Sequence, residues 1–148
     1  MKNRFFLPFI VIVLSGCTNV VGDAPRAVTP LPGKSLSDTY MATKAETFFK
    51  SAGYTCDVNK AHGQLRCARE LRNIHVHQTR AVVTIYVDED RRDAYRILAS
   101  RWDEGLIPGE LIASEYANPD VVAFCDALAA DQVAVCHVPG GDDASMAR

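Results

Sequence analysis

The side chains able to do chemistry in this 148-residue chain are few, and their spacing narrows what they can do. His75 and His77 are the one ligand-like pair. On a strand, alternate residues point to the same face, so both imidazoles could meet a zinc or copper ion if His62 or His137 supplied a third nitrogen. In the competing arrangement Ile74 and Val76 turn inward and both rings lie on a solvated face. No third ligand is placed by spacing, so this second arrangement is the expected one, with no metal or other cofactor. Glu104, Glu110 and Glu115 are the candidates for an acid–base pair, which needs two carboxyl groups flanking one scissile bond. Acids in helix and loop segments are ordinarily solvated charge. The sequence contains no G-x-S-x-G, H-E-x-x-H or glycine-rich phosphate loop, so no catalytic residue and no small-molecule substrate are expected. Five cysteines remain: Cys17 alone, then Cys56, Cys67, Cys125 and Cys136 as two C-x10-C pairs, without the C-x2-C spacing of a zinc site.

Cys17 has a distinctive context. Lys2 and Arg4 precede an apolar run from Phe5 to Leu14. Its length of about ten residues suits the core of a secretory signal. It falls short of the roughly twenty residues that span a bilayer. The run ends in Leu14-Ser15-Gly16-Cys17, and here the chain resembles the bacterial lipoprotein class, whose signals end in a lipobox of Leu, two small residues and Cys. The resemblance covers the first seventeen residues. It implies that residues 1–16 are removed, that the Cys17 thiol receives a diacylglyceryl group, and that the new amine is acylated, by palmitate for example. Two or three chains anchor stably where a single chain is marginal. In the class, an Asp after the Cys retains the protein in the inner membrane. Thr18 stands there, which implies the outer membrane, with the domain facing the periplasm.

The remaining chain, 17–148, has the length of one small domain. Without Lys2 and Arg4, the 16 basic residues fall to 14 against 18 acidic ones, a net charge of −4 that does not suit a nucleic-acid partner. The charge is lopsided: residues 60–101 hold Lys60 and eight arginines, whereas 102–147 hold nine acids and no Lys or Arg. Two such halves ordinarily interleave and neutralise one another. Residues 17–34, rich in Pro and Gly, read as the lipidated N-terminus and a flexible tether, able to reach about 55 Å when stretched. Residues 139–148 read as a disordered tail. The folded domain is expected over 35–138.

Within it, 36–52 predicts a helix capped by Ser37 and ended by Gly53, with Tyr40, Met41, Ala45, Phe48, Phe49 and Ala52 as its core stripe. Residues 54–59 and 64–69 predict a hairpin closed by Lys60–Gly63. If Asn59 pairs with Gln64, then Cys56 faces Cys67 on the inner side, within disulfide reach. Export makes oxidation the expected state. A Cys125–Cys136 bridge follows by elimination, and loops of about ten residues give each bridge roughly 2–3 kcal/mol. Further strands are expected within 73–78 and 81–88, or as one long strand. Then come a helix over about 88–105 with Ala94, Tyr95, Ile97, Leu98 and Trp102 buried, helical turns within 110–116, a helix opened by Asn118-Pro119 and running to Ala130, and a strand over 132–138. The order α-β-β-(β)-β-α-α-β is an α+β domain: a small, mostly antiparallel sheet with helices on one face and two disulfides.

Address and composition together suggest a membrane-anchored, non-catalytic protein that binds partners in an envelope assembly, secretion or conjugation system. One alternative is an inhibitor of a periplasmic target such as a lysozyme or protease, inserting the loop Lys60–Gly63 or Ile107–Glu110. The other is a metal-binding lipoprotein using His75 and His77.

Overall fold

The computed structural model describes residues 17–59, 63–74, 77–106 and 113–140. The leader 1–16 and residues 141–148 of the tail lie outside the described residues. Seven strands form one antiparallel sheet: β1 (Cys17–Gly22), β2 (Arg26–Pro30), β3 (Thr55–Asn59), β4 (Gln64–Ile74), β5 (His77–Val87), β6 (Tyr95–Leu106) and β7 (Ala134–His137). Their order is β3-β4-β5-β6-β2-β7, with β1 also on β6. Two helices, α1 (Asp38–Ser51) and α2 (Pro119–Ala130), bury their apolar residues in one core with the sheet.

Both helices begin and end as their local chemistry dictates. Ser37 Oγ accepts the Tyr40 amide at 3.1 Å, and Gly53 takes the left-handed φ of 85° that closes α1. Asn118 Oδ1 accepts the amides of Asp120 and Val121 ahead of Pro119. Met41, Ala45 and Phe49 of α1 are buried, and Phe48 and Phe49 each lie within 5.4 Å of the Phe124 ring of α2. The β3–β4 register is the expected one, Cys56 opposite Cys67, and both bridges, Cys56–Cys67 and Cys125–Cys136, are formed.

Four expectations are corrected. The span expected as a helix after Asp88 is instead β6, paired with β5 from Tyr95↔Val87 to Glu104↔Gln78. Tyr95, Ile97, Ala99 and Asp103 are buried in alternation while Leu98 is exposed, which is a period of two. Ala94, Tyr95, Leu98 and Trp102 imitated a helical stripe because both faces of β6 carry apolar residues. Asp88 closes a hairpin rather than capping a helix: its amide donates to the Ala94 carbonyl, and its carboxylate accepts from the Asp90 amide and Arg96 Nε. The Asp90 amide, with the Arg96 guanidinium, holds the Asp88 carboxyl below its ordinary range.

The second correction concerns the stretch expected as a tether. Its strands β1 and β2 pair in succession along β6, from Val20↔Trp102 to Val28↔Tyr95. The Asp23 amide donates to the Ala99 carbonyl across the kink between them. The prolines that suggested a leash sit at the kink (Pro25), the end of β2 (Pro30) and just after it (Pro32), where few ladder donors are needed. Third, 73–78 is not a strand of its own: residues 73–74 end β4, and 77–78 begin β5, which continues without a break through the strand expected within 81–88. Fourth, 113–118 is not helical, and 110–112 lies outside the described residues. With seven strands and two helices among the described residues, the domain is mostly β rather than an even α+β mixture.

Val28 separates the two views of the N-terminal stretch, since it is fully buried in the core. Val28→Ala is expected to cost about 1–3 kcal/mol in urea unfolding, whereas a residue of a solvated tether would change the midpoint negligibly.

Candidate functional site

Beyond the cover of the helices, the inner face of the sheet turns polar. β5 and β6 set Thr79 opposite Asp103 and Ala81 opposite Arg101, so the alternation that buries Val83 and Ala99 also carries Thr79, Arg101 and Asp103 inward. Asp103 is 1% exposed and His77 7% exposed. The Asp103 carboxylate accepts from Thr79 Oγ1 at 2.7 Å, from Arg101 Nε at 3.1 Å and from Arg101 Nη2 at 3.0 Å. His77 Nε2 lies 3.4 Å from Asp103 Oδ1 and 3.2 Å from Thr79 Oγ1. Burial alone would raise the Asp103 carboxyl. The Arg101 and Thr79 hydrogen bonds, the Arg101 charge and the His77 contact outweigh it and lower the pKa.

A second polar group adjoins this face. Arg69 stacks 4.8 Å above the Tyr54 ring and reaches Asp120 at 2.9 Å. Tyr54 donates to Asp120 at 2.9 Å and accepts from Asn118 Nδ2 at 3.2 Å. Burial, opposed by the Asn118 hydrogen bond, pushes the Tyr54 phenol up to about 12, so it remains a donor at neutral pH. The Asn118 amide in turn donates to Asp23 between β1 and β2. Both groups tie neighbouring elements together, Asp103 joining β6 to β5 through Thr79 and Asp120 joining α2 to β4 through Arg69. A base must be left proton-hungry, and Asp103 is saturated with donors that suppress its basicity.

The sequence-expected residues fall as follows. Of the histidine pair, His75 lies outside the described residues, and His77 is buried, not solvated, while Ile74 is 45% exposed at its strand end. Among the described residues, no group of three or more His, Cys, Asp or Glu could hold a metal ion. Glu104 is paired with Arg80 in the residue step after Asp103, hence on the opposite face of β6. Glu115 is exposed, and Glu110 lies outside the described residues, as do 60–62 of the loop Lys60–Gly63 and the whole of the loop Ile107–Glu110. Cys17 is the first residue of β1, in register with Leu106. No described helix is long and apolar enough to cross a membrane. A helical period over 88–105 conceals Arg101 and Asp103, and Thr79 falls in the joint between the strands expected at 73–78 and 81–88. The signal was present in the alternation Ile97, Ala99, Arg101, Asp103.

One cleft of about 410 Å³ opens between the start of α1 and the β3–β4 hairpin. Met41, Val58, Leu65, Ile85 and Tyr95 give it apolar walls, and Thr39, Thr43 and Gln64 give it hydrogen-bonding groups. Tyr95 is fixed there by a 2.6 Å bond to Asp38. Such a mostly apolar concavity with a few polar groups has the character of a site that takes up a ligand or a partner's side chains. The chain matches no family model, no curated protein and no solved structure.

The lowered Asp103 pKa has a definite sign. Its folded value lies below the unfolded one, near ~3.9, so its stabilisation is full above that pH and is lost as pH falls through the folded value. Asp103→Asn is expected to cost about 2 kcal/mol at pH 7 and to reduce the acid loss of stability. Urea midpoints of both proteins from neutral to acidic pH check this, and an unchanged acid limb would contradict it.

Proposed function

We propose that this chain is an exported lipoprotein, anchored in the outer membrane through Cys17, whose periplasmic domain is a non-catalytic protein-binding component of an envelope assembly, secretion or conjugation system. The observation that carries the address is Leu14-Ser15-Gly16-Cys17 after a charged start and an apolar run. The Cys56–Cys67 and Cys125–Cys136 bridges support it, since oxidising compartments sustain paired cysteines. The cleft beside α1 supports the binding role. Its apolar walls can take side chains of a partner polypeptide, and its threonines can satisfy that partner's backbone.

Two measurements test the two halves. Metabolic labelling with an alkyne-tagged fatty acid should mark the wild type, which should fractionate with outer membranes, and should leave Cys17→Ser unmarked. Wild-type protein without label would remove the anchor. A photocrosslinking residue at Thr43, on the cleft, should trap an envelope protein, and Val58→Glu should lower the yield about tenfold, the effect of losing roughly 1.4 kcal/mol. Equal yields from Thr43 and from the exposed Val20, toward the other end of the sheet, would remove the cleft as the binding site.

A further inference from the structure

We propose that the end of the sheet bearing Cys17 rests directly on the phospholipid surface, so that the domain stands upright with its strands pointing into the bilayer. This deepens the anchor reading above and rests on it. The first observation is the absence of slack: Cys17 is already strand β1, paired with β6. Chain leaves the described fold at residue 17 on the leader side, so a lipid on that residue has no leash between it and the sheet.

The second observation is what else that end carries. Across the strands, Thr18 is level with Glu104 and Gln78, and Gln78 with Asn73, while Ile74 and His77 form the next pair outward. Cys17 and Ile74 therefore lie at the same end of the sheet, on β1 and β4. Ile74 is 45% exposed at that tip. Leu71 and Val20 are 43% and 50% exposed. They stand about 10 Å behind the tip at ~3.3 Å per residue. Interfacial elements sink about 5–10 Å into the headgroup and acyl boundary. Ile74 thus reaches the boundary, and Leu71 and Val20 come to headgroup level. Arg72 is exposed between Leu71 and Ile74, where its guanidinium can meet lipid phosphate while its stem stays on the apolar side. The opposite end of the sheet, at the Asp88–Ala94 turn with exposed Arg91 and Arg92, is the length of β5 away and points to the periplasm.

The test uses the full lipidated protein in vesicles of natural phospholipid doped with brominated lipid, which quenches nearby tryptophan. Trp102, the single native tryptophan, is replaced by Phe, and one reporter is placed by Ile74→Trp, Leu71→Trp or Arg92→Trp. Two positions at the tip guard against one variant failing to fold. Reporters at 74 and 71 should be quenched at least about twofold more than the one at 92, as expected for interfacial depth. Equal quenching at both ends, from a domain lying flat or tumbling, overturns the proposal. So does no quenching anywhere in protein that carries fatty-acid label, and in that case the anchor survives. Protein lacking the label overturns both.

Discussion

Strand β6 is paired along both sides, with β5 on one and with β1 and then β2 on the other, and most of the domain depends on that double pairing. Its inward residues Tyr95, Ile97 and Ala99 are part of the core, and the next two, Arg101 and Asp103, begin the polar region. Satisfying the backbone of so central a strand requires partners on both edges. The N-terminal residues supply one of them. The stretch from Cys17 to Pro30 is therefore committed to the sheet, and the position of Cys17 at its end is a consequence of ladder bonding.

The disulfides complete this plan at the margins. Strands β3 and β7 end the sheet path, and they are short, at five and four residues. Terminal strands have one unpaired side and are the least held. One bridge ties β3 to β4, and the other ties β7 to α2. Each closes a loop of similar length, worth roughly 2–3 kcal/mol in the chain-entropy account. Asn118 and Asp23 do comparable work without covalent chemistry, joining the start of α2 to the β1–β2 kink.

What could be read from the sequence was what is decided locally. Ser37 and Gly53, Asn118-Pro119, and the Asn59–Gln64 register that opposes Cys56 to Cys67 are all specified within a few residues, and each of these expectations matched. The β6 and β1–β2 strands are decided by partners tens of residues away. Apolar residues on both faces of β6 overlay its alternation with a helical stripe, and prolines at the ends of β2 look like linker. A helical period on β6 conceals the inward pair Arg101 and Asp103, and the joint expected before 81 conceals Thr79. A resemblance in the leader suggested an anchor, but only the long-range pairing relates Cys17 to Ile74, Leu71 and Val20.

The residues following Cys17 are strand and not leash. Amide hydrogen exchange on the Cys17→Ser form reads this out residue by residue. The account predicts that alternate amides of 18–22, bonded to β6, exchange at least about a hundredfold more slowly than free chain, as for any ladder donor released only by local opening. Exchange across 18–22 at the rate of unstructured chain would contradict it.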